Sequence, residues 1–417
     1  MKGGIKKDRS YSLTLVAWQR LKRNKLAVSG LVIIGIAVII SILGYLITPD
    51  QTPYADMQIH QLAIKKPGFE GTLLYVRKNE ETEKVNFFEK MIFGEPSEHY
   101  VIPVYGKPFF NNNDILVEEY TGASPNNGTI RRVNLADVVY AINPTFPIVN
   151  DSIKGFMEFY AYGSNSKIHK TTAELQEEAK KNLRTQKFLL GTDRQGRDLL
   201  SRLMIGTRIS LFVGLVSVII SVVIGVFMGA LSGFFRGWVD DFIMWLINVV
   251  WSIPTLLLVI AITLVLGKGI TQVFIAVGLT MWVETARVVR GQILSVREKE
   301  YIEAGRALGF GNMRLIFRHV LPNVMGPVIV ISAMNFASAI LIEAGLSFLG
   351  IGAQPPTPSW GEMIYDHKGY IFVDAAYLAI VPGLAIMLVV LAFMVVGNGL
   401  RDAIDSKMAD DEAIMGT

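Results

Sequence analysis

Six long apolar stretches separated by charged segments set what this chain of 417 residues can fold into. They run about Leu26–Ile47, Thr207–Leu231, Phe242–Leu266, Ile270–Val289, Val324–Leu349 and Ala376–Leu400. About 20 residues, each rising about 1.5 Å, cross the roughly 30 Å hydrocarbon core of a bilayer, where a helix satisfies its own backbone groups. A soluble protein of this size is rarely 51% hydrophobic with a mean hydropathy of +0.40, whereas a polytopic membrane protein with one sizeable aqueous domain is. The fourth stretch is the least regular, because Glu284 and Arg287 fall in its last turns. Each charge at mid-bilayer costs about 2.5–3.5 kcal/mol, so both are expected at or beyond the interface. The first stretch begins only near Leu26 and lacks a small-x-small exit, so it reads as an uncleaved first span.

Lysine and arginine set the orientation. Lys2, Lys6, Lys7, Arg9, Arg20, Lys22, Arg23 and Lys25 precede the first span against a lone Asp8, and Arg290, Arg297, Lys299, Arg306, Arg314 and Arg318 follow the fourth. The turn between spans three and four offers only Lys268. Both termini and the loop after span four are therefore expected in the cytoplasm, and the segment between spans one and two outside it. This layout gives a basic tail (1–25), a first transmembrane helix (26–47), an extracytoplasmic insertion (48–195), a transmembrane domain (196–400) containing a cytoplasmic loop (291–323), and a cytoplasmic tail (401–417) whose acidic Asp410-Asp411-Glu412 reads as a solvated end.

The fold class expected is an all-α polytopic membrane protein of six transmembrane helices with an inserted α+β domain. Strand-like runs in the insertion are Thr72–Val76, Tyr100–Tyr105, Ile115–Tyr120 and Ile130–Val139, with one helix-like run at Thr172–Leu183. Asn127-Gly128-Thr129 matches a glycosylation sequon, but Asn-Gly is also a common turn, and the turn is the reading taken. Gly225, Gly229 and Gly233 recur on one face of span two and allow close helix approach. Pro254 should kink span three, with Ser252 or Thr255 able to satisfy the freed backbone groups.

Several chemistries are excluded by what is missing. With no cysteine there is no disulfide, thiolate metal site or thiol nucleophile, and a net charge of +4 does not suggest nucleic acid. No G-x-x-x-x-G-K-[ST] occurs, since Gly267-Lys268-Gly269 lacks the hydroxyl and the upstream glycine, so any nucleotide energy must come from a partner. The five histidines give no metal spacing; His60, His99 and His169 are far apart, and His319 reads as a packing residue. No cofactor or metal is expected.

Residues 300–323 form a polar, basic segment between apolar stretches. Ser295 and Glu298 stand in capping-box spacing, so a helix is expected to start there, end at Gly309, and give way to a second short helix capped by Asn312 and running to Pro322. Ala304, Gly305 and Leu308 lie on adjacent turns and would make a nearly bare face that lets another protein come close. An ordinary amphipathic linker is the plainer alternative. The segment resembles the EAA loop of ABC-importer permeases, with Glu303-Ala304-Gly305, Gly309 and Leu321-Pro322 at the matching positions and Gly305 where the family usually has alanine.

The resemblance extends further. Gly191-Thr192-Asp193-Arg194-Gln195-Gly196-Arg197-Asp198 with Leu200-Ser201-Arg202, then Ala344–Gly350, then Pro355-Pro356-x-Pro358-Ser359-Trp360-Gly361, are similar to signatures of the C-type permease subunit of dipeptide and oligopeptide importers. The similarity covers roughly residues 10–50 and 188–405, and the insertion between them is longer than that family's core requires. It implies a type I ABC importer permease in the cytoplasmic (inner) membrane of a bacterium or archaeon. It also implies a second permease, two ABC ATPases that use the ATP, an extracytoplasmic substrate-binding protein and a short-peptide cargo. ATPase coupling would fall on Glu303, Ala304, Gly305, Leu308, Gly309, Leu321 and Pro322. Relatives also carry nickel complexes or other small solutes, which stays open.

One departure stands in span three. The family commonly has Met-Arg-x-x-Asp before the proline, where this chain has Met244-Trp245-Leu246-Ile247-Asn248 and so lacks the ion pair. Along the translocation path, Asn248, Asn335 and Ser338 are neutral groups suited to passing amides. Glu343, ionisable among apolar neighbours, either contacts a peptide amine or braces Ser347. Asp193, Arg194, Arg197 and Asp198 lie just outside span two, where alternating charges can order an exported re-entry loop through ion pairs, and they read either as a solvated loop or as a contact for a binding protein. An ion-coupled secondary transporter would need paired intramembrane charges and broken helices, and a membrane-bound enzyme or sensor would need a catalytic constellation in the insertion.

Overall fold

The computed structural model describes residues 13–81, 85–122, 124–151, 155–163 and 166–404. Lys2, Lys6, Lys7, Asp8 and Arg9, and the acidic Asp410-Asp411-Glu412, lie outside the described residues. The chain forms two compact units. One takes up the residues through Ser41, Thr207–Lys368 and Ala379 onward; the other takes up Ile42–Gly206 and Gly369–Leu378.

Helix α1 (Leu13–Arg23) carries Arg20, Lys22 and Arg23 in its last turn. Asn24 then caps α2 (Lys25–Leu43), its Oδ1 accepting from the amides of Leu26 and Ala27 at 3.1 Å each, which ends one helix and starts the next.

The second unit is built on a five-stranded antiparallel sheet in the order β4-β3-β2-β1-β8, beside a three-stranded sheet β5-β6-β7. The elements in chain order are β1 (Phe69–Arg77), α3 (Phe87–Phe93), β2 (His99–Asn111), β3 (Asp114–Glu119), β4 (Ile130–Asn134), α4 (Leu135–Val139), β5 (Val149–Asp151), β6 (Phe156–Tyr160), β7 (Lys167–Thr171), α5 (Thr172–Lys181) and β8 (Leu183–Phe188). The run expected as one strand, Ile130–Val139, is half helix. The Asn134 side chain accepts from the Ala136 amide at 2.9 Å and caps α4, a local bond that competes with the ladder. β1 is apolar on consecutive positions because both its faces are covered. Leu74 and Val76 join Val117, Leu135, Met157, Phe159 and Leu175, while Leu73 joins Ile59, Leu62 and Phe188. The turn before β4 runs through Pro125 and Asn126, and it is Asn126, not Asn127, that takes the positive φ of 65°.

The remaining helices are α6 (Leu199–Phe235), α7 (Gly237–Trp251), α8 (Thr255–Leu266), α9 (Ile270–Val296), α10 (Glu300–Ala307), α11 (Asn312–Leu315), α12 (Leu321–Phe348), α13 (Trp360–His367) and α14 (Tyr377–Ile404). Among the described residues, five stretches are long and apolar enough to cross a membrane: Lys25–Leu46, Leu199–Phe235, Ile270–Val296, Asn312–Phe348 and Tyr377–Ile404. The third expected span is instead a pair, α7 and α8, bent by 90° across Ser252-Ile253-Pro254. Pro254 has no amide to continue the ladder and sits at the start of α8, and the Ser252 hydroxyl donates back to the Val249 carbonyl at 2.7 Å. Pro254 locates the break in the sequence but not its size.

Close approach in the first unit rests on the glycines of α6. A Cβ at Gly225 would lie 2.5 Å from Thr285 Cβ, and one at Gly229 would lie 2.5 Å from the Ala286 carbonyl oxygen, so α6 and α9 meet backbone to backbone. Gly30 of α2 meets the Ala392 carbonyl of α14 in the same way, at 2.8 Å.

Candidate functional site

The first site is the hairpin after α9. The capping box expected at Ser295 and Glu298 does not form. Helix α9 continues through Val296, and Glu298 is spent on an ion pair with Arg236 at 2.6 Å. Arg297 donates to the Phe234 carbonyl at 2.5 Å, which turns the chain, and α10 begins at Glu300 behind Lys299. Its end is a Schellman turn: Phe310 N donates to Gly305 O at 3.0 Å and Gly309 N to Arg306 O at 2.9 Å. Gly309 takes φ +78°, a left-handed conformation that a side chain resists.

Asn312 is inside α11, not its cap; Gly311 holds the cap position. The second short helix does not stop at Pro322. One π-helical turn, Ile316–Val320, in which Leu321 N donates to Ile316 O, carries the chain directly into α12 with Pro322 in its first turn. Proline is tolerated there because its missing amide falls where the ladder is already broken.

Inside the hairpin, Ile302, Leu315, Ile316, Val320 and Val324 pack with Ala230 and Phe234 of α6 and Val289 and Ile293 of α9. Gly305 is buried in this packing, with a Cβ position 2.9 Å from Leu315 Cδ2 and 3.3 Å from Phe310. It therefore closes the hairpin on itself and is not part of a bare outer face. His319 stacks on Phe310 with centroids 5.8 Å apart, and Arg314 covers the same ring from 4.0 Å. The outer face is instead Glu303, Ala304 and a set of large apolar side chains. Leu308 is 73% exposed and Phe317 65%, with Tyr301 and Met313 exposed beside them in the sequence. Tyr301, Met313 and Phe317 were not singled out from sequence. Their signal is that each falls off the buried stripe of its helix while remaining apolar.

Among the described residues, no hydrogen bond joins any two of the four polar residues assigned to a path. Asn248, on α7, accepts from Arg287 Nη2 at 3.0 Å, and Arg287 lies 3.4 Å over the Trp251 ring. Arg287 thus supplies the cation that the Met244–Asn248 segment lacks. Asn335 is buried and donates to Thr285 Oγ1 at 3.3 Å, which shares a hydrogen bond with Ser221. Glu343 is buried, accepts from Ser347 Oγ at 2.8 Å and from Ser210 Oγ at 3.5 Å, and so braces α6 against α12. Ser347 is held in turn by the Ala353 amide and by Ser359, the cap of α13. Ser338 is exposed. A cleft of about 600 Å³ lies between α9, α12 and α14, with Gln292, Asn323 and Arg401 as its polar lining.

The second site is a buried polar knot in the other unit. Asp193, Arg197, Asp198, Ser201 and Arg202 are all buried, so neither a solvated loop nor a surface contact describes them. Arg197 Nε bonds Asp193 Oδ2 at 2.6 Å and its Nη1 bonds Asp56 Oδ1 at 2.9 Å. Asp198 caps α6, accepting from the Ser201 amide at 2.8 Å, and Ser201 Oγ accepts from the Asp50 amide at 2.9 Å. Thr192 Oγ1 accepts from the Lys65 amide at 2.9 Å and donates to the Leu62 carbonyl. Burial pushes the Asp50 and Asp198 carboxyls above the ordinary range, while hydrogen bonds from Thr52 and Ser201 pull the other way. Arg194 is the exposed member of the motif.

These features define a class: a polytopic helical membrane protein with a polar hairpin between two of its long helices and a separately cored α+β unit. Residues 203–410 match the model of the binding-protein-dependent transport system inner membrane component, and residues 12–67 match that of the N-terminal TM domain of oligopeptide transport permease C. The chain is 45% identical over 222 residues to the di/tripeptide transport system permease protein DppC of Pseudomonas aeruginosa, covering 53% of this chain and 73% of that one. It is 42% identical over 219 residues to the glutathione transport system permease protein GsiD of Pectobacterium atrosepticum, covering 52% and 72%. Inward-facing MetNI methionine ABC transporter structures align at TM-score 0.42 and 21% identity, over 49% of this chain and 97% of that one. The chain belongs to the family of binding-protein-dependent transport system inner membrane components, as a permease subunit of an ABC importer.

Proposed function

We propose that this chain forms half of the pathway by which an ABC importer moves short peptides across the cytoplasmic membrane, and that partner ATPases dock on the hairpin Glu300–Val320. The observation that carries the docking assignment is the outward set Glu303, Leu308, Met313 and Phe317 on a hairpin whose inner face is packed on α6 and α9. A large apolar face rimmed by charge is the chemistry of a protein interface, and its rigid backing passes movement to the helices. The peptide assignment draws on the relatives named for di/tripeptide and glutathione transport. In this reading the partners are a second permease, two ATPases that bind and use the ATP, an extracytoplasmic binding protein and the surrounding lipid. Ser338 and Asn248 are exposed and available to a passing amide, whereas Asn335 and Glu343 hold helices together.

Deleting the gene abolishes uptake of labelled di- to pentapeptides and confers resistance to a toxic peptide. Unchanged peptide uptake with lost nickel accumulation would move the cargo to a metal chelate and leave the permease class intact. An ion-coupled carrier is less well supported despite the bent α7–α8 pair, because the segment from Asn248 to Leu256 holds no carboxylate.

The α+β unit is assigned to the outside and both termini and the hairpin to the cytoplasm, from the Lys and Arg distribution. Single cysteines at Ser124 and Ser295, both exposed in a chain with no native cysteine, test this. An impermeant maleimide applied to cells with a permeabilised outer envelope labels position 124 and spares 295. The reverse pattern overturns the orientation.

A further inference from the structure

The exposed face of α9 is polar, although the helix is long and apolar enough to cross a membrane. Thr285, Ala286, Val289 and Ile293 are buried, whereas Glu284, Gly291, Gln292 and Ser295 are exposed, with Val288 half-buried among them. Spaced i, i+4, i+7, i+8 and i+11 from Glu284, these residues fall on one face of the helix. The exposed side of α6 is of the opposite kind, with Phe212, Leu215, Ile219, Val223 and Phe227. Side chains like those suit acyl tails, and a glutamate, a glutamine and a serine in line do not.

Glu284 is the costly member. From the sequence it is expected at the interface, because the apolar stretch ends near Val289. Instead α9 runs on to Val296, over 27 residues and about 40 Å, and Glu284 stands near its middle. Even with the hydrocarbon ending at Arg290, Glu284 is more than a helical turn inside it. Arg287, one turn away, is engaged with Asn248 and Trp251, and no hydrogen bond or ion pair to Glu284 forms among the described residues. A bare carboxylate at that depth is unfavourable in lipid, so water or a cation must meet it.

The cleft between α9, α12 and α14 supplies the room. Val288 and Gln292 line it from α9, and Pro327, Ile331 and Met334 from α12. Glu284 lies one turn beyond Val288 on the same face of α9, and Ser338 one turn beyond Met334 on α12. The bond from Asn335 to Thr285 sets those two turns at similar depth along the two helices. Both side chains are exposed, so the line of the cleft continues toward a carboxylate on one helix and a hydroxyl on the other.

We propose that this stripe faces the translocation path and that Glu284 is a station for the ammonium group of a peptide crossing the membrane. An ammonium brings both the opposite charge and the N–H donors that the carboxylate lacks, and the Ser338 hydroxyl can accept beside it. The cargo rests on the function proposed above, whereas the selection of a cation stands on the geometry alone.

The assembled importer in nanodiscs, with cysteine-free partner subunits and Val288→Cys or Gln292→Cys as the permease's one thiol, tests the selection. Cationic and anionic methanethiosulfonate reagents of similar size should both react, and the cation-to-anion rate ratio should fall several-fold when Glu284→Gln is added. A thiol that neither reagent reaches overturns the proposal, because the stripe then faces lipid or the second permease. So does a ratio that Glu284→Gln leaves unchanged. In proteoliposomes supplied with loaded binding protein, Glu284→Gln should lower uptake of a labelled tripeptide roughly 10-fold, and Glu284→Asp should restore part of it. Unchanged tripeptide uptake in Glu284→Gln overturns the ammonium contact. A wild-type importer that moves no peptide would overturn the proposed cargo instead, and the reagent ratio would still decide whether Glu284 selects cations.

Discussion

Phe317→Asp combined with Leu308→Asp abolishes substrate-stimulated ATP hydrolysis in the reconstituted importer while the permease itself inserts and melts normally. Both side chains stand on the outer face of the hairpin and touch little of their own chain, so removing them costs the fold little. At a partner interface the same side chains would be anchors. Truncating an anchor costs about 2–4 kcal/mol, roughly a 30- to 1000-fold loss of affinity. Glu303→Lys, on the same exposed face, should weaken docking or coupling in the same way without disturbing insertion. Gly305 gives the contrasting case. Alanine there meets the far end of the Leu315 side chain at 2.9 Å and the edge of the Phe310 ring at 3.3 Å, contacts that small side-chain shifts relieve, and should be tolerated, whereas tryptophan cannot fit between Leu315 and Phe310. Gly305→Trp therefore removes coupling by unmaking the hairpin, and its permease melts earlier, unlike the surface pair. Normal stimulated hydrolysis in the Phe317→Asp, Leu308→Asp complex would move the dock elsewhere.

The two Gly305 readings show where sequence reasoning reaches and where it stops. Helical spacing correctly places Ala304, Gly305 and Leu308 on neighbouring turns, but spacing alone does not say which side of the helix the next segment folds onto. Phe310 and Leu315 fold back over Gly305, so the smallest residue marks the inner side. The Ser295–Glu298 capping pattern fails for a related reason: α9 still has packed neighbours through Ile293, and Glu298 finds Arg236, 62 residues earlier, in place of its own backbone. Proline and glycine marked their breaks faithfully, at Pro254 and Gly309, because those signals are local and steric. The apolar stretches were legible for the same reason: the first matches Lys25–Leu46 to within a residue at each end, whereas the second, expected from Thr207, starts at Leu199 because Asp198 caps the helix there. Charge pairings were legible only within the local segment. Asp193 and Arg197 are four apart and suggest each other, yet Asp56 lies 141 residues from Arg197, and it is that partner that turns an exposed-looking loop into an interior one.

Arg197→Met is expected to be the most destabilising single change outside the long helices. Its guanidinium is almost wholly buried between Asp193 and Asp56, and taking away one partner of a buried pair leaves the other charge uncompensated, at about 3–5 kcal/mol. At about 2–4 °C per kcal/mol for a unit of this size, the thermal midpoint in detergent falls by roughly 6–20 °C. Arg194→Ala, in the same motif but exposed, should change stability by no more than about 0.5 kcal/mol. Gly196→Ala should approach the Arg197 variant by a different route. Gly196 holds φ +76°, and a Cβ there would fall 1.8 Å from the Ile59 carbonyl oxygen, an atom of the backbone that cannot swing aside. Both changes should loosen the same two strands of chain, so amide exchange should accelerate over residues 50–65 and 191–202 and spare the β1–β4 sheet core. Asp193→Asn added to Arg197→Met should cost less than the sum of the two, because the second change removes a charge that the first has stranded. If Arg197→Met melts with Arg194→Ala, or its added exchange spreads evenly over the unit, then the knot does not hold the start of α6 to the chain after span one, and the signature Gly191–Arg202 has some other role.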